Sequence, residues 1–270
     1  MNTFFITIPK LAYVLCGKNI RHFITIIFSL WSVLFFEGIL RQHVLINIVF
    51  VYDKTSFSFG FNNRYDIAVF REIFLYKEYE WTNITDPKII VDLGAHTGDT
   101  ALYYHCMYPN AKIYAVEPNP FLFERLRNNT KNIGQIIPIH AAINNTSGFA
   151  LLTVSSRSSL RGSLNARSGT DTYTEIEVPT VTLVDLYTEQ GIVRADLCKF
   201  DIEGAEEVMF GGRQAIEYAD AYIGEFHGDL VDMPLETFKA NFRGFEVEMK
   251  PMGRNNRFNL KAKKHSLYEN

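Results

Sequence analysis

Apolar residues along the second two-thirds of the chain come in short blocks. Residues 89–93 (IIVDL), 111–116 (AKIYAV), 136–142 (IIPIHAA), 196–202 (DLCKFDI) and 221–226 (AYIGEF) are nearly continuous apolar runs bounded by Gly, Pro, Asn or Asp. Such runs suit strands covered on both faces, as in a parallel sheet. Helical spacing fills the gaps. A helix follows Gly98 to about residue 108, and Asn119 and Pro120 mark the start of another, with Phe121, Leu122, Leu126 and Phe123 facing the sheet. Residues 181–189, capped by Thr180 or Thr182, residues 203–210, stopped by Gly211 and Gly212, and residues 233–241 form three more. Residues 149–154 and 175–178 read as two further strands, and residues 245–249 and 257–260 as a closing antiparallel pair.

The first third is patterned differently. Residues 23–36, FITIIFSLWSVLFF, carry no charge and predict a helix, yet fourteen residues fall short of the ~20 that cross a bilayer. The expectation is a helix facing the core or a partner; the alternative is a membrane-associated or signal-anchor segment, because only Glu37 interrupts the run to Leu40. No small-x-small site follows, which argues against a cleaved signal peptide. Residues 44–61 predict a β-hairpin about residues 53–56. Residues 64–79 predict a helix with Ile67, Phe70, Ile73 and Phe74 inward and Asp66, Arg71 and Glu72 on a solvated face. Tyr79 and Trp81 are expected to pack as aromatics. This divides the chain into an N-terminal extension, residues 1–62, and a domain, residues 63–270.

Composition narrows the classes. With 270 residues, 47% hydrophobic and 21% charged, the chain can bury one α/β core with an appendage, and a net charge of -3 leaves no electrostatic footprint for nucleic acid. Cys16, Cys106 and Cys198 are odd in number and far apart, so a disulfide framework is not expected and a cytoplasmic setting fits. Residues 155–170 form a polar loop made basic by Arg157, Arg161 and Arg167, either a plain connection or a lid over the strand ends.

The chemistry concentrates in residues 88–117. Strand, glycine turn, helix and strand make a right-handed β-α-β unit, which sets the turn beside Glu117 at the carboxyl ends of two parallel strands. Gly94 and Gly98 let backbone approach a ligand, and an acid ending the second strand suits ribose hydroxyls. The turn lacks the G-x-G-x-x-G spacing that seats a pyrophosphate, and it carries Asp92 and Asp99, which repel phosphates but attract an ammonium and a sulfonium. That combination describes S-adenosylmethionine. Ala141 and Ala142, ending the third strand, could lie under an adenine. Asp201, Glu203, Glu225 and His227 gather at the next two strand ends. His227 and Asp201, with His96 as a competitor, are the candidates for a proton acceptor at these strand ends. The same four residues could hold magnesium, but nothing in their spacing demands it, and no metal is assigned. A nicotinamide-dependent oxidoreductase and a catalytically silent adaptor are the alternative classes.

VDLGAHTGDT (residues 91–100), AVEPNP, Ser-Ser-Leu at 158–160, VPTVTLVDL, KFDIEGAEEVMFGG and GEFH together resemble the FkbM-type S-adenosylmethionine-dependent methyltransferases, over about residues 67–228. The resemblance implies a Rossmann-like class I methyltransferase fold: a seven-stranded, mostly parallel sheet of order 3-2-1-4-5-7-6 with helices on both faces, here with an N-terminal helical and hairpin extension. It implies O-methylation of a hydroxyl on a sugar, glycolipid or natural product. It also implies cofactor contacts at Asp92, Gly94, Gly98, Asp99 and Glu117, with Asp201 and Glu203 close to the transferring methyl; the neighbouring Ala95, His96, Pro118, Asn119, Ala142 and Asp201 complete the expected cofactor set, and Asp201, His227 and Glu203 are the catalytic candidates. The family turn more commonly has Asn where this chain has His96. The expected partner is a small-molecule or glycan acceptor, with peripheral membrane association through the N-terminal apolar helix as a further expectation.

Overall fold

A computed structural model describes residues 2–155, 162–163, 173–211, 213–253 and 256–265. Two helices, α1 (Asn2–Leu15) and α2 (Ile20–Gly38), precede the hairpin β1 (Ile46–Tyr52) and β2 (Thr55–Phe61). Then come α3 (Arg64–Phe74), β3 (Ile89–Leu93), α4 (Asp99–Met107), β4 (Lys112–Val116), α5 (Pro120–Thr130) and β5 (Ile136–Ile139). A second group follows: β6 (Ala142–Ile143), β7 (Gly148–Ser155), β8 (Gly162–Ser163), β9 (Tyr173–Val181) and α6 (Leu183–Glu189). The chain closes with β10 (Leu197–Phe200), α7 (Glu206–Phe210), β11 (Ala221–His227), α8 (Leu235–Ala240), β12 (Phe245–Met252) and β13 (Arg257–Lys264).

The main sheet has seven strands in the order β12-β13-β11-β10-β3-β4-β5. Its first five strands in chain order are parallel, and β13 runs antiparallel to both β11 and β12. Numbered along the chain, this is the expected order 3-2-1-4-5-7-6. The alternation of faces along each strand divides the interior into two clusters, one on each side of the sheet. One cluster joins Ile90, Ile113 and Leu197 to α3, α4 and the N-terminal elements; the other joins Val91, Cys198 and Phe200 to α6, α7 and α8.

The N-terminal extension is part of the first cluster. Phe50, Phe57, Phe59 and Phe61 of the hairpin surround Phe70 and Phe74 of α3, with ring centroids 4.7 Å apart for Phe59 and Phe70 and 4.3 Å for Phe70 and Phe74. The hairpin turn is Asp53-Lys54, both with positive φ (42° and 71°), the conformation that matches the twist of a two-residue hairpin. The expected apolar helix extends to 19 residues because Asn19 caps it, accepting from the backbone N–H groups of Arg21 and His22. Helix α1 was not anticipated, since Pro9 and the absence of end signals hide its period.

Several expectations are corrected. Helix α3 ends at Phe74, so Glu78 and Tyr79 lie in a loop. Asp66 is buried rather than solvated: Arg125 of α5 donates to its two carboxylate oxygens at 2.8 and 3.0 Å and also to the Gly60 carbonyl at 2.9 Å. Phe121 is 72% exposed, because Leu122 and Leu126 take the inward phase of α5, and Phe123 stacks on His140 instead. The third strand stops at Ile139. Residues Ala142 and Ile143 leave the main sheet to pair with β9, and β7 pairs antiparallel with β9. Residues 203–205 form a turn, so α7 starts at Glu206. Ser158 to Leu160 and most of the proposed lid lie outside the described residues.

Candidate active site

The carboxyl ends of β3, β4, β10 and β11 open into a cavity of about 260 Å³. This is where an open parallel sheet leaves room, because the chain turns in opposite directions from adjacent strands. Of the sequence-predicted residues, Gly94, His96, Asp99, Glu117, Pro118, Asn119, Ala142, Asp201 and Glu203 line it. Asp92, Ala95, Gly98 and His227 stand behind the wall.

The glycine turn is held by a small set of bonds. Gly94 and Ala95 both donate to the Val116 carbonyl at 2.9 Å, tying the turn to the end of β4. Gly94 has φ of 77°, and a Cβ there would sit 1.8 Å from the Asp201 carbonyl oxygen, so no side chain fits. Beneath the turn, the Lys199 ammonium donates to the Gly94 carbonyl at 2.7 Å and lies 3.1 Å from Asp92 Oδ1, the two residues being register partners on β10 and β3. Both are fully buried. Burial works against the Lys199 charge, but Asp92, Asp201 and Asp99 together override it and raise the lysine pKa; burial likewise pushes Asp92 up, against the pull of Lys199. Of the two roles expected of Asp92, drawing a ligand ammonium or ordering the turn, its contacts serve the second. Asp92 balances a buried lysine that braces the turn.

Glu117 ends β4 with its carboxylate in the cavity. Its oxygens accept from the backbone N–H groups of His96, at 2.8 Å, and Asn119, at 2.9 Å. Burial pushes its pKa up to about 7, opposed by His96 and these two hydrogen bonds. Asn119 in turn caps α5 by accepting from Phe121 and Leu122. His96 has φ of 51°, an uncommon conformation for a residue with a Cβ. Its Nδ1 lies 3.5 Å from Asp99 Oδ1, and its Nε2 is buried without a hydrogen-bond partner among the described residues. Burial lowers the His96 pKa, but Asp99 and Glu117 carry it above the ordinary value.

The opposite wall is acidic. Glu72, Glu78, Asp201, Glu203 and Glu225 line it with Tyr79, whose hydroxyl lies 3.0 Å from Glu225 Oε1 and 3.3 Å from Asp201 Oδ2. Burial, then the Glu225 charge, push Glu78 up to about 7. Asp201 Oδ1 is buried and accepts no hydrogen bond from the described residues. His227 lies under this cluster, 1% exposed. Its Nδ1 is 2.7 Å from Glu206 Oε1, and its Nε2 is 3.4 Å from Glu225, 3.7 Å from Asp201 and 3.9 Å from Glu203. Burial opposes the imidazolium, but Glu206, Glu225 and Asp201 override it and raise the pKa to about 11. The surrounding carboxylates therefore favour the imidazolium, which works against His227 as a neutral proton acceptor and suits it to holding the carboxylates together.

From the sequence, Glu78, Tyr79 and Lys199 have no site role, Glu72 belongs to a mainly solvated face, and Glu206 clusters with Asp201 and Glu203 at a strand end. Lys199 offered a signal, since a lysine inside an apolar strand needs a buried acid, and Asp92 is the one acid inside such a run upstream. Glu78 and Tyr79 offered none, for their loop follows a helix with no spacing rule.

The donor set fits S-adenosylmethionine. Glu117 offers acceptors for a ribose diol, Val116, Leu122, Ala141, Ala142, Ile143 and Leu152 form an apolar wall for a purine, and the unpartnered His96 Nε2 can donate to a carboxylate. Fold and site together are those of a class I S-adenosylmethionine-dependent methyltransferase. Residues 92–240 match the family described as Methyltransferase FkbM domain, and the chain belongs to that family. It is 28% identical over 205 residues to Methyltransferase sdnD of Sordaria araneosa, covering 64% of this chain and 75% of that one. It is 26% identical over 184 residues to the 31-O-demethyl-FK506 methyltransferase FkbM of Streptomyces tacrolimicus, covering 56% and 69%. Among solved structures, Aeropyrum pernix fibrillarin with natively bound S-adenosyl-L-methionine is similar at 15% identity and a TM-score of 0.45, over 80% of this chain and 82% of that one.

Proposed function

We propose that this methyltransferase is an O-methyltransferase acting on a hydroxyl of an uncharged small molecule or glycan, in the cytoplasm. The observation that carries this reading is the acidic wall, Glu72, Glu78, Asp201, Glu203 and Glu225, lining the same cavity as the cofactor turn. Five carboxylates repel a carboxylate- or phosphate-bearing acceptor and can receive hydrogen bonds from several hydroxyls. The FkbM relative from Streptomyces tacrolimicus, whose name specifies a 31-O position, supports oxygen as the acceptor atom. The three cysteines, all free and buried, support a reducing compartment.

The cofactor, when bound, supplies a methyl group on a cationic sulfur. The protein's part is to hold an acceptor oxygen in line with that methyl and to take the proton the alcohol loses. Asp201 is the assigned acceptor of that proton, since its Oδ1 has a free lone pair among the described residues and it lies on the cavity wall beside Gly94. Tyr79 and His227 orient it from either side. Asp201→Asn should lower turnover by about 10² to 10⁴ with cofactor affinity retained. Glu78→Gln is the contrast: if that variant loses the same factor and Asp201→Asn loses little, the proton goes to Glu78. Acceptance of an anionic acceptor in preference to its neutral counterpart would overturn the substrate class.

A second reading rests on geometry in the same wall: ligand atoms of Asp201, Glu225 and His227 lie within 4.8 Å of one another. A divalent cation there would replace the His227 proton and polarise the acceptor hydroxyl. Activity abolished by a chelator and restored by magnesium would favour it over the metal-free reading.

A further inference from the structure

Helix α2 is apolar on two opposite faces. At about 100° per residue, Ile26, Leu30 and Val33 fall on one side of the helix and Ile20, Ile24, Phe28, Phe35 and Ile39 on the other. The first set is buried in the core shared with the hairpin and α3. The second set is exposed, Ile20 at 68%, Phe28 at 69% and Ile39 at 69%, and none of the described residues covers it. A soluble surface helix normally turns charges outward on that side.

The polar side chains on the outer surface are already satisfied within the helix. Thr25 Oγ1 donates to the Arg21 carbonyl at 3.0 Å, and Ser32 Oγ donates to the Phe28 carbonyl at 2.8 Å. Their hydroxyls need no water, so moving this face into an apolar medium strands no donor. The charges around it share one sign. Lys18, Arg21 and Arg41 are exposed near the ends of α2, and Lys10 is exposed on α1. The one acid in the first 45 residues, Glu37, is neutralised by Arg64, which reaches it from both its backbone N–H, at 2.7 Å, and its Nε, at 3.0 Å. A shallow groove is lined by Pro9, Lys10, Tyr13 and Val14 of α1, Phe23 of α2 and Leu75.

We infer that the outer face of α2 seats in the surface of an anionic phospholipid bilayer, with the helix lying in the plane of the membrane. The apolar stripe enters the headgroup–acyl boundary, and the basic residues at the helix ends meet the lipid phosphates. Although 19 residues suffice by length to cross a bilayer, the helix does not span one in this fold. Its inner face is committed to the core, and both ends are tied: Asn19 caps the first turn, His22 Nε2 lies 2.6 Å from the Val49 carbonyl, and Glu37 holds Arg64. The uniform basic rim favours lipid over a second copy of the chain, which would bring like charges together. This inference is independent of the acceptor assigned above.

The test is flotation of the full-length protein with vesicles of phosphatidylcholine alone and of phosphatidylcholine with about one-third phosphatidylserine. The wild type should float with the anionic vesicles and bind them at least about tenfold more tightly than the neutral ones, with the difference shrinking in high salt. Ile20→Gln, Phe28→Gln and Ile39→Gln combined should lower binding by about tenfold or more, with an unchanged thermal midpoint and unchanged S-adenosylmethionine affinity. Arg21→Gln with Arg41→Gln should cut the anionic preference at least severalfold, with Lys10 and Lys18 keeping the remainder, and leave residual binding to both. The inference is overturned if the wild type stays in the soluble fraction with both vesicles, or if the triple variant floats as the wild type does. It is also overturned if sedimentation shows a dimer that the triple variant dissociates while no vesicle binds.

Discussion

Replacing Glu117 by Ala is the most informative perturbation of the cofactor half of the site. A carboxylate offers about four acceptor positions. Two are used by the His96 and Asn119 backbone N–H groups at 2.8 and 2.9 Å, and the remainder face the cavity. Losing hydrogen bonds to a charged group should weaken S-adenosylmethionine binding by about 1 to 3 kcal/mol, roughly five- to 150-fold in Kd. The pH dependence gives a second, independent handle. Only the ionised carboxylate presents all its lone pairs, and burial pushes Glu117 up to about 7. Between about pH 8 and about pH 6 its ionised fraction falls about tenfold, so wild-type affinity should fall by up to that factor as pH drops. Calorimetric titration of both proteins at both pH values measures the two effects. In the Ala variant the affinity should be low and the pH slope flat. Wild-type affinity in a folded Ala variant, or the same slope persisting there, would remove Glu117 from the cofactor site.

Lys199→Met should destabilise the protein by about 3 to 5 kcal/mol, because it leaves the buried Asp92 carboxylate unpaired; a urea midpoint unchanged from wild type would contradict the pairing. Gly94→Ala should abolish cofactor binding or folding, since its Cβ would lie 1.8 Å from the Asp201 carbonyl; a binding-competent Ala variant would show that the turn relaxes. The ligand-free protein should melt at progressively lower temperature from pH 5 to pH 9. Glu78 and Glu117 each rise from 4.5 to about 7 on folding and His227 from 6.5 to about 11, so the folded form holds these protons more tightly. Their stabilisation is full below the unfolded values and is lost as pH rises through the folded ones. A melting temperature that climbs over this interval would mean that the three groups are not protonated together in the fold.

Local chemistry determined most of the scaffold. The core strands are apolar blocks closed by turn residues, and Asn119 and Thr182 cap helices through bonds to backbone groups two or three residues away. Right-handed crossovers then leave little freedom in where the glycine turn and Glu117 meet, which is why that half of the cavity was legible before any coordinates. The acceptor half was not. Tyr79 reaches Asp201 and Glu225 across 122 and 146 residues of sequence, and Glu206 reaches His227 across 21. Residue type alone gives His227 an ordinary imidazole and Asp92 a ligand-facing acid, whereas the charge state of each is a sum over neighbours that only folding assembles. Asp66 shows the same limit: helical period put it outward, and Arg125, 59 residues later, drew it in. The hydrophobic pattern also named α2 as apolar without saying which face the core would take. Packing decided that Ile26, Leu30 and Val33 go inside, and so left Ile20, Phe28 and Ile39 for something else to cover.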